Sequence, residues 1–374
     1  MSSTDSPTPL EPVPAPVAAA GGSGRVLSLD QFRGYTVAGM FVVNFVGGFA
    51  AMPDVLKHHN SYCSYADTIM PQFLFAVGFA LRLVVLRNRA KLGAAAAYGR
   101  AVRRIGMLLL VGVVFYHLDF DPPDGVSRVI PFWRPVTVAT LWRETFQTLV
   151  HIAVTSLWVL PVIAGGARVR LVYGLVSAGA HVAISAAFWY AMLHEKRVID
   201  GGPFGFLTWT IPALAGSFAH DWRIGRGVSG CFRPLLGWGV VLMGVGYGLS
   251  CLGAGGLVAA APFIPPDGPL DMWTMSQRAG SVSYLAFAAG FGMAVYAAFV
   301  WACDIRGWAS RLFGVLGANA LAAYLLHEVV MLPFEAVRHE SDPLWLAVLL
   351  TAGFMAATTV LVWLLNRRGW FLRL

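Results

Sequence analysis

An all-α polytopic membrane bundle of about ten transmembrane helices, with both termini cytoplasmic, is the fold this sequence predicts, and three observations carry it. Of its 374 residues, 57% are hydrophobic and 12% charged, with mean hydropathy +0.65, whereas soluble domains carry about a quarter charged residues. Apolar runs of spanning length, roughly 20 residues each, recur near 34–53, 66–86, 104–118, 145–165, 169–192, 204–219, 232–256, 279–302, 312–333 and 343–365. Lys and Arg then alternate in side: an inward N-terminus assigns 19 of the 27 to the cytoplasm, from Arg25 and Arg33 to Arg367 and Arg373, as the positive-inside rule requires. The acidic residues go the other way, among them Asp54, Asp67, Asp121, Asp124, Asp200, Asp267 and Glu328. The net charge of +8 therefore reports topology and not nucleic-acid binding.

Residues 1–24, rich in Pro, Ala, Ser and Gly, cannot bury a core and read as a disordered cytoplasmic tail. They lack a basic n-region, so no signal peptide is expected. Residues 25–374 form the transmembrane domain. The first span, entered through SLDQFRGYTVAGMFVVN, carries Asp30, Arg33 and Asn44. Asp30 and Arg33 are three apart and share a helix side, and Asn44 returns to it almost three turns later. Ionisable residues in a membrane segment are candidate functional residues by default.

The loop before the second span, KHHNSYCSYAD, packs His58, His59, Asn60, Cys63 and Asp67 into a few residues. Asp67 falls in the first turn of the next helix, where a carboxylate also serves the positive helix end. Beside an imidazole, a carboxylate orients the ring and raises its basicity for proton abstraction. The basic run between spans two and three is explained by topology, yet Arg100, Arg103 and Arg104 also make an anchor for a phosphate-bearing ligand. In span four, Gln147 and His151 lie four apart and share a face, while His117, His181 and His220 read as packing histidines.

Late in the chain, GANALAAYLLHEVV places Asn319, Tyr324, His327 and Glu328 in one span, the last three at i, i+3 and i+4. If this helix neighbours the first, His327 and Glu328 sit level with His58 and Asp67. The alternative is interhelical hydrogen bonding worth roughly 0.6 to 2 kcal/mol per bond, the better reading for Tyr324. Cys63, Cys231, Cys251 and Cys303 lack CxxC spacing, so neither a disulfide framework nor a metal site is expected.

RVLSLDQFRG, the VN of VVN, the His-containing loop ending in AD, MPQFLFAVG, GANALAAY and VLVWLLNRRGWFLRL together resemble the heparan-alpha-glucosaminide N-acetyltransferase family of transmembrane acyltransferases. The resemblance runs over most of the chain in order. It implies transfer of an acetyl group from acetyl-CoA, the acyl donor on the cytoplasmic face, to a sugar or glycan acceptor on the other face; the +8 charge pattern and the lack of a signal peptide make a bacterial inner membrane the expected location. It also implies a catalytic His at His58 or His59, a supporting Asn44 and a loop carboxylate at Asp67. The family loop reads HAxWNGxTxAD, whereas this one is shorter, lacks the Trp and doubles the His, which leaves the choice of His open.

On this reading His58 or His59 takes the acceptor's proton, Asn44 or Asn60 holds the oxyanion, and Arg33 with Arg100, Arg103 and Arg104 holds the CoA phosphates, Asp30 pairing with Arg33. Acyl transfer through a histidine or through Cys63 is a variant of the same scheme. Membrane lipid is the other expected partner, nucleic acid is not, and a homodimer is compatible. The rival reading is a proton-coupled transporter or flippase in which Arg33, Asn44, Asp67 and His327 line a pathway.

Overall fold

The computed structural model describes residues 26–59, 61–119, 132–138, 140–195, 198–253, 261–265 and 270–372. The N-terminal tail, Arg25, Asn60, Asp121, Asp124, Asp267 and Arg373 lie outside them. The architecture is all-α: α1 (Leu27–Val46), α2 (Ile69–Leu92), α3 (Ala94–Tyr116), α4 (Thr148–Ile163), α5 (Ala167–Ile184), α6 (Tyr190–Glu195), α7 (Phe206–Gly225), α8 (Gly227–Ser250), α9 (Val282–Phe299), α10 (Arg311–Ala318), α11 (Ala320–Glu335) and α12 (Leu344–Arg367). A two-residue antiparallel ribbon pairs Leu118 with Trp133 and Asp119 with Phe132.

Each apolar run of the sequence falls on one or more of these helices. Among the described residues, five helical stretches are long and apolar enough to cross a membrane: Ala66–Leu92, Ala167–Leu193, Gly227–Ser250, Val282–Ile305 and Leu344–Arg367. The pair α10 and α11, bent by 97° at its break, makes a sixth if counted as one span. The other runs fall short of this measure for visible reasons. Helix α4 has only 16 residues, and α1, α3 and α7 are diluted by Asp30 and Arg33, by Arg100, Arg103 and Arg104, and by Asp221 and Arg223 respectively. The set is that of a polytopic helical membrane protein.

Helices meet where glycine removes the side chain. A Cβ on Gly78 of α2 would lie 1.8 Å from the Ala213 carbonyl oxygen of α7, and one on Gly216 of α7 would lie 1.8 Å from the Phe75 oxygen of α2. Helices α1 and α10 approach through Gly34 and Gly317 in the same manner. Such contacts maximise dispersion and are the usual driving force between helices in lipid, which offers no hydrophobic gain for apolar pairing. Apolar side chains on α5, such as Leu171, Leu175 and Val176, and on α8, such as Trp238 and Val240, point outward and are exposed, as suits a lipid-facing surface.

One end of the bundle gathers the start of α1 and the turns after α7 and α9. There Arg223 Nη2 lies 2.9 Å from Asp304 Oδ2, and Ser28 Oγ donates to the same carboxylate at 2.7 Å. Nearby Arg82 and Arg170, both buried, converge on Asp221. The α1–α2 loop lies at the opposite end of α1, beside the turn that follows α6. Asp30 and His58 therefore stand at opposite ends of the same helix.

Candidate functional site

The α1–α2 loop is organised by a single buried carboxylate. Asp67 sits in a 3-10 turn, Ala66–Thr68, that leads directly into α2. Its side chain is fully buried. Oδ2 accepts from the Ser64 amide at 2.9 Å and the Ser64 hydroxyl at 3.0 Å, with the His59 amide at 3.4 Å. Oδ1 lies 2.9 Å from His58 Nδ1. A carboxylate on Nδ1 keeps the proton there and leaves Nε2 to act as a base. Burial opposes charge on the His58 ring, but the Asp67 bond and the Asp67 and Asp200 charges outweigh it, so His58 titrates above its ordinary value.

The two histidines diverge. The His58 side chain, 41% exposed, stands on the wall of a cavity of ≈ 460 Å³. His59 turns back onto its own loop, with Nε2 2.9 Å from the Asp54 carbonyl oxygen and its ring stacked on Tyr62 at 4.4 Å. Cys63 is buried, and burial pushes its thiol well up from the ordinary value, which removes the thiolate that a cysteine nucleophile needs.

The cavity joins residues far apart in the chain. Asn44 from α1, Tyr324 and Glu328 from α11, Gln147 beside α4, and Asp200 and Gln277 from two loops share its wall with His58. Asn44 Nδ2 lies 3.3 Å from His327 Nε2, and the buried His327 ring stacks on Phe41 at 5.4 Å. His327 Nε2 is also 3.3 Å from Glu328 Oε1, and its Nδ1 meets the Tyr324 carbonyl. Both ring nitrogens are thus engaged, tying His327 to Asn44, Glu328 and the Tyr324 carbonyl. Tyr324 bonds Tyr116 through their hydroxyls at 2.7 Å, and Tyr116 in turn accepts from the Leu149 amide at 2.8 Å. That chain ties α11 to α3 and α4.

Asp200 and Gln277 are the residues sequence reasoning missed. Asp200 was legible only as one of many outer acidic residues, and Gln277 not at all. The local signal is the turn Asp200-Gly201-Gly202-Pro203, whose first three residues all have positive φ, +56° at Asp200. Burial pushes the Asp200 carboxyl up to about 7, against the Gln277 hydrogen bond and the His58 charge.

The expected phosphate-binding residues are elsewhere. Arg33 and Asp30 pair at 3.9 Å near the start of α1, both part-exposed. Arg100, Arg103 and Arg104 are exposed on α3. Asn319 lies away from the cavity, at the break between α10 and α11, where its amide donates to the Trp370 carbonyl at 2.9 Å and accepts from the Leu372 amide at 3.1 Å. His151 is buried between Phe146 and Trp209. Among the described residues, no group of three or more His, Cys, Asp or Glu is placed to hold a metal ion. Compared with known proteins, the chain matches no family and no curated relative.

Proposed function

We propose that this protein is a ten-span transmembrane acyltransferase that moves an acetyl group from cytoplasmic acetyl-CoA to a sugar or glycan acceptor on the other face of a bacterial inner membrane. The observation that carries the reading is the His58–Asp67 pair, opening on a cavity at the far end of α1 from Arg33. The loose resemblance of the SLDQFRG, VN and AD segments supports it.

Acyl transfer requires a base for the acceptor's proton and donors for the developing oxyanion. His58 Nε2 takes the proton, with Asp67 stabilising the imidazolium. The acceptor heteroatom bonds to the acyl carbon, the C–S bond breaks, and the imidazolium returns the proton to the leaving thiolate. Asn44, its amide fixed against His327, is the oxyanion donor. Arg33, paired with Asp30, and Arg100, Arg103 and Arg104 bind the CoA phosphates.

Turnover of acetyl-CoA by purified protein, with and without amino sugars, tests this directly. Single-cysteine labelling at Ser61 tests its sidedness: label arriving only from the cytoplasm would sink a transmembrane transfer.

The 97° break between α10 and α11 favours the transporter reading, because transporters bind substrate at discontinuous helices. Here, however, the break holds the residues that follow α12, through Asn319. An absence of acetyl-CoA binding, together with proton-coupled flux in vesicles, would establish transport instead.

A further inference from the structure

Asp67 accounts for one nitrogen of His58, and what governs the other nitrogen is a separate question. Across the cavity stands Asp200, 1% exposed. Its backbone is locked from two sides, its carbonyl accepting from Trp209 Nε1 at 2.8 Å and its left-handed conformation set by the following glycines. Gln277 Nε2 donates to Asp200 Oδ1 at 3.0 Å. That bond fixes the amide and leaves its oxygen for other partners, and Gln277, Asp200 and His58 share one cavity wall.

We propose that Asp200 is a positioning residue that, through the Gln277 amide, governs the proton His58 carries during transfer. Asp67 and Asp200 then bracket the imidazole, one by direct contact and the other through an amide. When His58 takes the acceptor's proton, the imidazolium is held by Asp67 at Nδ1 and by the Gln277 oxygen on the cavity side. When the proton passes to the thiolate, the ring returns to neutral. Asp200 itself neither gains nor loses a bond to substrate.

The charged and titratable groups facing Asp200 are few. His58 and Asp67 act from the α1–α2 loop, Tyr284 from α9 and Tyr324 from α11. Arg278 and Glu328 share the cavity wall, and Arg278 Nη2 donates to the Leu193 carbonyl at 2.8 Å. Among the described residues, no Lys or Arg nitrogen forms an ion pair with Asp200. Asp200 is the second acidic group beside the ring after Asp67, so removing its charge should lower the proton affinity of the ring.

The inference rests on the acyltransferase reading for the role of that proton, but its test is independent. In full-length protein carrying ¹³C-labelled histidine, the His58 imidazole signal is assigned by its loss in His58→Ala and titrated in detergent. Asn tolerates the left-handed region, so Asp200→Asn keeps the backbone and an acceptor oxygen while removing the charge. The expected result is a His58 midpoint lower by about half a pH unit or more in Asp200→Asn, a shift in the same direction in Gln277→Ala, and recovery in Asp200→Glu. An unchanged midpoint in folded Asp200→Asn overturns the inference, whatever the turnover. A shifted midpoint in a protein that neither binds nor turns over acetyl-CoA supports the coupling and overturns the acyltransferase reading alone.

Discussion

His58 Nδ1 lies 2.9 Å from Asp67 Oδ1, across only nine residues of chain, and the same carboxylate is anchored by the amide and hydroxyl of Ser64. The loop folds around Asp67, so the imidazole is oriented before any substrate arrives. Preorganisation of this kind is what makes a general base effective.

The two adjacent histidines should behave differently. Loss of a general base lowers turnover by about 10² to 10⁴, so His58→Ala should fall in that range with CoA affinity retained. His59→Ala should remain within a few-fold of wild type, because its ring faces Asp54 and Tyr62. Steady-state acetyl-CoA turnover with calorimetric CoA titration reads both. Equal losses in the two variants would remove His58 as the specific base.

Asp67→Asn should affect fold as well as rate. An amide cannot accept from all the donors gathered there, and leaving one buried donor unpaired costs about 1–3 kcal/mol. Thermal unfolding in detergent should show a lower midpoint for Asp67→Asn than for His58→Ala. The reverse order would contradict the role of Asp67 as the loop's organiser.

The pH dependence follows from two raised groups. His58 must be neutral to act as base, so turnover should climb as pH rises through a value above 6.5. Its stabilising bond to Asp67 is fully present below the unfolded value and fades as pH rises through the folded one. Asp200 also binds its proton more tightly when folded, at about 7 against 3.8. Stability from this group is therefore complete below about pH 4 and is lost as pH rises to 7, up to about 4 kcal/mol for a fully buried carboxyl. Asp200→Asn should consequently raise the melting temperature at pH 8 and barely change it at pH 4. A stabilisation independent of pH would exclude the buried carboxylate as its cause.

Arg33→Ala should weaken CoA binding about tenfold, the loss of one charge-assisted contact of about 1.4 kcal/mol. It should also lower the melting temperature slightly, since Asp30 loses the guanidinium at 3.9 Å. Binding by desulfo-CoA titration and melting curves separate the two effects. Unchanged affinity in the folded variant would leave Arg33 with a structural role only.

Gly216→Ala tests the packing without reference to function. Its Cβ would be 1.8 Å from the Phe75 oxygen and 3.0 Å from the Phe79 nitrogen, backbone atoms that cannot rotate away. Overpacking typically costs about 1–3 kcal/mol. Reduced yield of monodisperse protein and a lower melting point are expected, whereas Gly237→Ala, with open space around it, should be neutral.

Helix positions were legible because hydropathy and residue spacing are local properties, as was the meeting of Asp67 with the histidine loop nine residues before it. His327 and Glu328 were expected level with His58 and Asp67 only if their helix neighbours the first, and the contact between those helices, through Asn44 and His327, is one that spacing does not reveal. Asp200 with Gln277, and Arg82 with Asp221, are joined across 77 and 139 residues, and no local pattern marks such pairs. Ten apolar spans are legible in the sequence, while length and composition select five or six among the described residues, because α4 is short and hydropathy averages lose the helices that carry polar residues into the interior.

Arg82 and Arg170 bear on how the protein is made. On the proposed inward N-terminus, each counts during insertion as a positive charge that resists translocation and helps orient its neighbouring helices. In the folded protein both are buried, at 8% and 0% exposure, with their guanidinium groups on Asp221. On that topology the same two side chains serve twice, as orientation signals and then as internal ties between α2, α5 and α7. The folded surface thus presents fewer cations than the sequence contains, with arginines such as Arg87, Arg89 and Arg103 left exposed.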